Sequence, residues 1–181
     1  MSAEDAILLD AEAIGRVLRR IASEIVEQVQ GAEGLALVGI RRGGVPLATR
    51  LAQEIARVEG AEVPVGTIDI GLYRDDAATA LPDPKIGPSH IPFDVDGKHV
   101  VLVDDVLQTG RTVRAALTCL LDYGRPKRVW LAVLCDRGGR ELPISADFAG
   151  PSLEVAPDQR LEAVLDDPPD RVVLRARGEG A

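Results

Sequence analysis

The stretch Val100-Val-Leu-Val-Asp-Asp-Val-Leu-Gln-Thr-Gly-Arg-Thr112 decides how the rest of the chain is read. Val100 to Val103 is a short, β-branched apolar run of the kind that forms a strand buried on both faces. It leads into two adjacent carboxylates, Asp104 and Asp105, and then a short turn. Thr109-Gly-Arg-Thr112 opens a helix expected over Thr112 to Tyr123, which Gly124-Arg-Pro126 closes. A strand, a glycine-containing turn and a helix start aim backbone N–H groups and the positive end of a helix at one point, a geometry that binds phosphate. The hydroxyls of Thr109 and Thr112 and the Gly110 amide suit a phosphate monoester. Asp104 and Asp105 suit a diol or the outer shell of a divalent metal. A phosphorylated sugar carries both groups. The plainer alternative is an Asp pair that only caps the following helix.

Two further segments have the same form. Leu35-Ala-Leu-Val-Gly39 is a second buried strand, running through Ile40-Arg-Arg-Gly-Gly44 into a helix over Val45 to Val58. It is no Walker A loop, because Gly-Lys-Ser/Thr is missing, but Arg41 and Arg42 with free glycine amides suit a pyrophosphate. Val129 to Leu134 is a third buried strand and ends in Asp136-Arg-Gly-Gly139. Open α/β sheets bind ligands at the carboxyl ends of their strands, so three such loops make one convergent site.

Around this frame, Ala11 to Gln30 has helical apolar spacing, with Asp10 as N-cap and Gly31 as terminator. Its other face carries Arg16, Arg19 and Arg20, which without further information is a solvated charged face. Val63 to Ile70 reads as a strand, and Val172-Val-Leu174 as a last short one. Tyr73 to Val95, with four prolines, is too long for an ordinary connection.

Val100 to Thr112 resembles the phosphoribosyl-pyrophosphate (PRPP) motif of type I phosphoribosyltransferases. Asp-Ile-Gly-Leu-Tyr-Arg-Asp-Asp (69–76), Thr-Gly-Arg-Thr-Val-Arg-Ala (109–115) and Leu-Ala-Val-Leu-Cys-Asp-Arg-Gly-Gly-Arg-Glu-Leu-Pro-Ile (131–144) resemble one branch. That branch is the pyrimidine operon attenuation regulator family, whose members are also uracil phosphoribosyltransferases. The similarity runs from about Ile7 to Leu165. It implies a single α/β phosphoribosyltransferase domain over 1–181: a central, mostly parallel sheet flanked by helices, a hood over about 136–165, and a flexible flap over about 73–95. His90 is then a flap surface residue.

By the same resemblance, Asp104 and Asp105 are catalytic. Val106, Leu107, Gln108, Thr109, Gly110, Arg111 and Thr112 hold the 5′-phosphate, and Arg41, Arg42 and Gly43 hold the pyrophosphate. Arg137 and the backbone around Leu161 lie on the base side, although for Arg137 an ion pair with Glu141 is an equal alternative. Mg²⁺ is the implied cofactor, held through PRPP oxygens and water and not by direct side-chain ligation. Uracil, UMP or UTP, and a pyrimidine-operon leader mRNA hairpin are the implied partners, with a homodimer or higher homo-oligomer as the assembly. A purine or orotate transferase shares Val100 to Thr112 but not the segments 69–76 and 131–144. A nucleotide-sensing module with vestigial catalysis would need neither the intact Asp pair nor the flap.

On the RNA side, Arg19, Arg20 and Arg140 are present. Gly139, Ser23, Gln28, Ser145 and Pro151 stand where the family carries basic or histidine residues, so a weaker or different RNA contact is expected. The net charge of −8 argues against general nucleic-acid binding, and 3% aromatic residues leave little for base stacking. No apolar run approaches the ~20 residues needed to span a bilayer. No leader segment is apparent, and Cys119 and Cys135 lie in apolar segments without metal-ligand spacing. They read as reduced core residues of a cytoplasmic protein. A dimer patch could come from the helix bearing Leu121 or the one bearing Leu51.

Overall fold

The computed structural model describes residues 6–73 and 88–176. In chain order it contains β1 (Ala6–Leu9), α1 (Ala11–Val29), β2 (Leu35–Ile40), α2 (Gly44–Glu59), β3 (Val65–Ile68), β4 (His99–Leu107), α3 (Arg111–Leu121), β5 (Arg128–Asp136), β6 (Phe148–Ala149), β7 (Gln159–Val164) and β8 (Arg171–Ala176). The main sheet has the order β3-β2-β4-β5-β6, with every pairing parallel. β2 is buried along its whole length and β4 from Val100 to Asp104, as strands covered on both faces must be.

One apolar layer, including Ile14, Leu18 and Ile25 of α1 and Leu47 and Leu51 of α2, packs with Val101, Val103 and Trp130 of the sheet. The other layer joins Val113, Ala116 and Leu120 of α3 to Val100, Leu102 and Val133. Adjacent β4 residues therefore feed opposite cores. Cys119 and Cys135 are free and buried, and burial raises both thiols, Cys135 to about 12, so both are protonated core residues.

Several expected boundaries move. β4 does not stop at Val103 but carries both aspartates and reaches Leu107, because its pairing with β5 continues to Leu107 opposite Asp136. The left-handed residue that ends α1 is Gln30 at φ 63°, one before the expected Gly31. Asp10 is the N-cap, accepting from the Ala13 amide at 2.8 Å. The hood drawn over about 136–165 is divided between two sheets. Phe148–Ala149 is the edge strand of the main sheet, while β7 joins β8 and β1 in an antiparallel sheet ordered β1-β8-β7. That small sheet therefore draws on both ends of the described chain. Arg50 of α2 fastens it, pairing with Asp170 and donating to the Leu165 carbonyl at 3.2 Å.

Most of the expected flap falls on 74–87, outside the described residues. Its last part is packed: His90 is exposed but exchanges two 2.8 Å backbone hydrogen bonds with Thr67, and Val95 is buried. Of the two helices offered for a dimer patch, the one bearing Leu51 buries that residue but exposes Val58 by 57%, and the other exposes Leu121 by 55%. Among the described residues no helix is long and apolar enough to cross a membrane.

Candidate active site

β4 delivers the acids and the phosphate loop in one continuous run. The Asp104 carboxylate accepts from the Asp105 amide at 2.9 Å, and that of Asp105 accepts from the Val106 amide at 2.8 Å. Asp104 is 6% exposed. Burial, and then the neighbouring Asp105 carboxylate, hold its carboxyl well above the ordinary range. The strand passes into Gln108, Thr109 and Gly110, the N-cap of α3, where Thr109 Oγ1 accepts from the Arg111 amide at 3.2 Å. A cavity of about 490 Å³ opens there, lined by Asp104, Val106 through Val113, and Glu141. The phosphate half of the sequence reading and Asp104 thus share one cavity.

The raised Asp104 group has a consequence for stability. The folded state holds this proton at pH values where the unfolded chain has released it, so stability falls as pH rises through that window. Asp104→Asn removes the titration and the repulsion. Its melting temperature should exceed the wild type's by about 2–4 °C near pH 8, with the difference shrinking on acidification. Thermal melts across pH read this directly, and a gain independent of pH would refute the assignment.

The second loop approaches the acids through its glycines. Arg41 and Arg42 leave the end of β2 exposed to solvent, joined by a cis peptide. A Cβ on Gly43 would sit 2.2 Å from Asp105 Oδ2, and one on Gly44 would sit 2.0 Å from the Val103 carbonyl oxygen. Only glycine allows this contact, and it sets the diphosphate-type loop directly against the carboxylate pair. On the far side, the Arg137 amide donates to the Leu107 carbonyl at 2.9 Å, and its Nη2 donates to the Gln159 carbonyl at 3.0 Å, two residues before Leu161. The partly buried Leu161 packs against the main core. Glu141, the alternative partner for Arg137, pairs with Arg111 at 2.6 Å.

A model of the Phosphoribosyl transferase domain matches residues 6–159. "Bifunctional protein PyrR" of Thermus thermophilus is 54% identical over 176 residues, covering 96% of this chain and 97% of that protein. The chain belongs to the PyrR branch of the phosphoribosyl transferase family. The protein of the same name from Pelotomaculum thermopropionicum is 51% identical over 181 residues, covering 99% of this chain and all of that one. The hypoxanthine phosphoribosyltransferase of Trypanosoma cruzi superposes with a TM-score of 0.71 at 20% identity, covering 94% of this chain and 97% of that one, which speaks to the fold alone.

Within this PyrR-type site, Arg140 has work that the sequence did not disclose. Its Nε donates to the Ile144 carbonyl at 2.8 Å, Nη1 to the Gln108 carbonyl at 2.9 Å, and Nη2 to Asp136 at 2.6 Å. Arg140, expected on an RNA face, also braces the loop after β4 against the end of β5. The Arg140 hydrogen bond holds the Asp136 carboxyl below its ordinary range. The stability it adds is complete above the ordinary carboxylate pKa and is lost as pH falls through the depressed one. Arg140→Ala should cost about 2 kcal/mol in denaturant unfolding and raise the KM for PRPP about tenfold. An unchanged KM would show that the loop holds its shape without the brace.

The other two arginines of the RNA expectation, Arg19 and Arg20, are exposed on α1. Arg20 is engaged on both sides, with Glu24 at 2.7 Å and the Ala149 carbonyl at 2.8 Å. Sequence reasoning passed over Glu141 as a member of the cavity and Asp136 as the anchor of Arg140. No local pattern marks either, since each role depends on where β5 sets its last residues beside the phosphate loop.

Proposed function

We propose that this chain transfers the phosphoribosyl group of PRPP to uracil, giving UMP and diphosphate, and that it binds a pyrimidine-operon leader mRNA hairpin in a UMP-dependent way. The observation that carries the enzymatic reading is the order along β4. Asp104, Asp105 and the loop Val106–Thr112 follow one another in the order of the family's PRPP motif, and Asp104 and that loop line one cavity.

In the reaction, N1 of uracil bonds to the anomeric carbon as that carbon's bond to the diphosphate oxygen breaks. The electron pair leaves with the diphosphate, and the proton released from N1 passes to water or to the departing diphosphate. Positive charge builds on the ribose, and the carboxylate pair lowers its energy electrostatically while accepting from the ribose hydroxyls. Backbone amides and hydroxyls from Val106 to Thr112 hold the 5′-phosphate at the start of α3. Arg41 and Arg42 receive the diphosphate, and the Gly43 contact keeps that loop beside Asp105. The carboxylates of Asp104 and Asp105, with the Gly43 backbone set against Asp105, suit a Mg²⁺ whose ligands come mostly from substrate oxygens. Such an ion would offset charge on the leaving diphosphate. Arg137 and the Leu161 backbone supply the base side.

A cytoplasmic, dimeric protein fits this role. The RNA half rests on the family and on Arg19, Arg20 and Arg140. An enzyme without RNA binding is the second reading, favoured by the internal commitment of Arg140 and by the pairing of Arg20 with Glu24.

The test is incubation of purified protein with PRPP, Mg²⁺ and radiolabelled uracil, alongside titration of a pyrimidine-leader hairpin with and without UMP. UMP formation and hairpin binding tightened by UMP are expected. Turnover without hairpin binding leaves the enzyme alone, and hairpin binding without turnover overturns the roles given to Asp104 and Asp105.

A further inference from the structure

The ion pair between Arg111 and Glu141 stands at the phosphate loop, and Glu141 has no part in the chemistry just derived. Arg111 Nε donates to Glu141 Oε2 at 2.6 Å, and Glu141 lines the same cavity as Asp104 and the loop. Its backbone is fixed there. The amides of Glu141 and Leu142 both donate to the Thr109 carbonyl, at 2.9 and 3.1 Å. A carboxylate is thus built into the wall of the cavity to which the 5′-phosphate is assigned. The two side chains are 35% and 53% exposed, so the pair is weakly held and the carboxylate can swing into water. A phosphate in the cavity brings more charge and more acceptor oxygens to the same guanidinium, and Arg favours multidentate partners.

We propose that Glu141 competes with the substrate's 5′-phosphate for Arg111, and that its displacement carries the occupancy of the phosphate site into the segment Arg137–Leu142. The second half follows from how that segment is hung. The Arg137 amide is bonded to the Leu107 carbonyl, Arg140 Nη1 to that of Gln108, and the amides of Glu141 and Leu142 to that of Thr109. Each residue of the loop from Leu107 to Thr109 is therefore read by a residue of the segment. Arg111–Glu141 is the side-chain contact between them that a phosphate contests. The inference rests on the UMP-binding reading above and adds a residue that sets the phosphate affinity and reports it.

The experiment uses the full chain and Glu141→Gln, with Glu141→Ala as a second variant of the same direction. Calorimetric titration with UMP should show both variants binding about threefold to tenfold tighter than wild type, since a like charge beside the phosphate is gone. Uridine, which lacks the phosphate, should bind all three proteins alike. The ratio of hairpin affinities with and without UMP should shrink toward one in both variants. Unchanged or weaker UMP binding in the variants, or equal tightening of uridine, overturns the competition. Tighter UMP binding with an undiminished hairpin ratio overturns the transmission. Failure of the wild type itself to bind UMP would instead refute the reading on which the inference rests.

Discussion

Asp105→Asn should lower kcat for UMP formation by about 100-fold or more while the KM for PRPP stays within about threefold. The asparagine keeps the shape of the side chain and an oxygen for the Val106 amide, which Asp105 Oδ1 now accepts at 2.8 Å. In the proposed mechanism, what it loses is the negative charge next to a ribose carbon that becomes positive only on the way to the transition state. An interaction made chiefly in the transition state appears in kcat, and the ground-state grip of the phosphate loop is left alone. Steady-state kinetics with PRPP as the varied substrate decide it. A kcat within threefold of wild type would remove Asp105 from the mechanism.

The second large effect separates two neighbouring glycines. Gly44→Ala places a Cβ against the Val103 carbonyl of β4, a backbone atom in the middle strand that cannot step aside. The start of α2 must move instead, and the cost should be about 3 kcal/mol or more, roughly 6–12 °C in melting temperature. Gly43→Ala collides with the Asp105 carboxylate, the end of a side chain that can rotate. Its stability cost should be about 1 kcal/mol, but kcat/KM should fall about 100-fold because the carboxylate and the diphosphate loop are pushed apart. Denaturant unfolding and kinetics on both variants give the comparison. Equal losses of stability would mean that Asp105 is as rigid as the backbone.

The site was legible where the chemistry is local. A run of apolar residues, two acids and a Thr-Gly-Arg-Thr turn lie within thirteen consecutive positions, and the fold keeps Asp104 and the turn in one cavity. The loop at Arg41–Gly44 was legible for the same reason. What escaped the sequence was everything decided by residues far apart. β1 meets β8 across most of the chain, with Ala6 opposite Leu174, and neither segment says so by itself. β6 is two residues long and signals nothing through periodicity. The end of β4 was misjudged because polar aspartates look like a turn, while the pairing with β5 simply continues through them. Arg140 and Glu141, adjacent in sequence, face different partners, Gln108 and Asp136 for one and Arg111 for the other. Charge pattern alone could not choose between those and an RNA face.

The central place of β4 also bears on how the protein fails. Its partners β2 and β5 shield both edges, and apolar layers cover both faces, so its amides can exchange with solvent only when the whole sheet comes apart. Since Asp104, Asp105 and the start of the loop that follows them are part of that strand, partial melting elsewhere should leave them in register. On slow heating, loss of turnover should coincide with the global transition seen by circular dichroism, and the amides of Val101 to Val103 should be among the last to take up deuterium. An enzyme whose acids sit on a surface loop grows inactive by degrees; this one should keep working until the sheet opens.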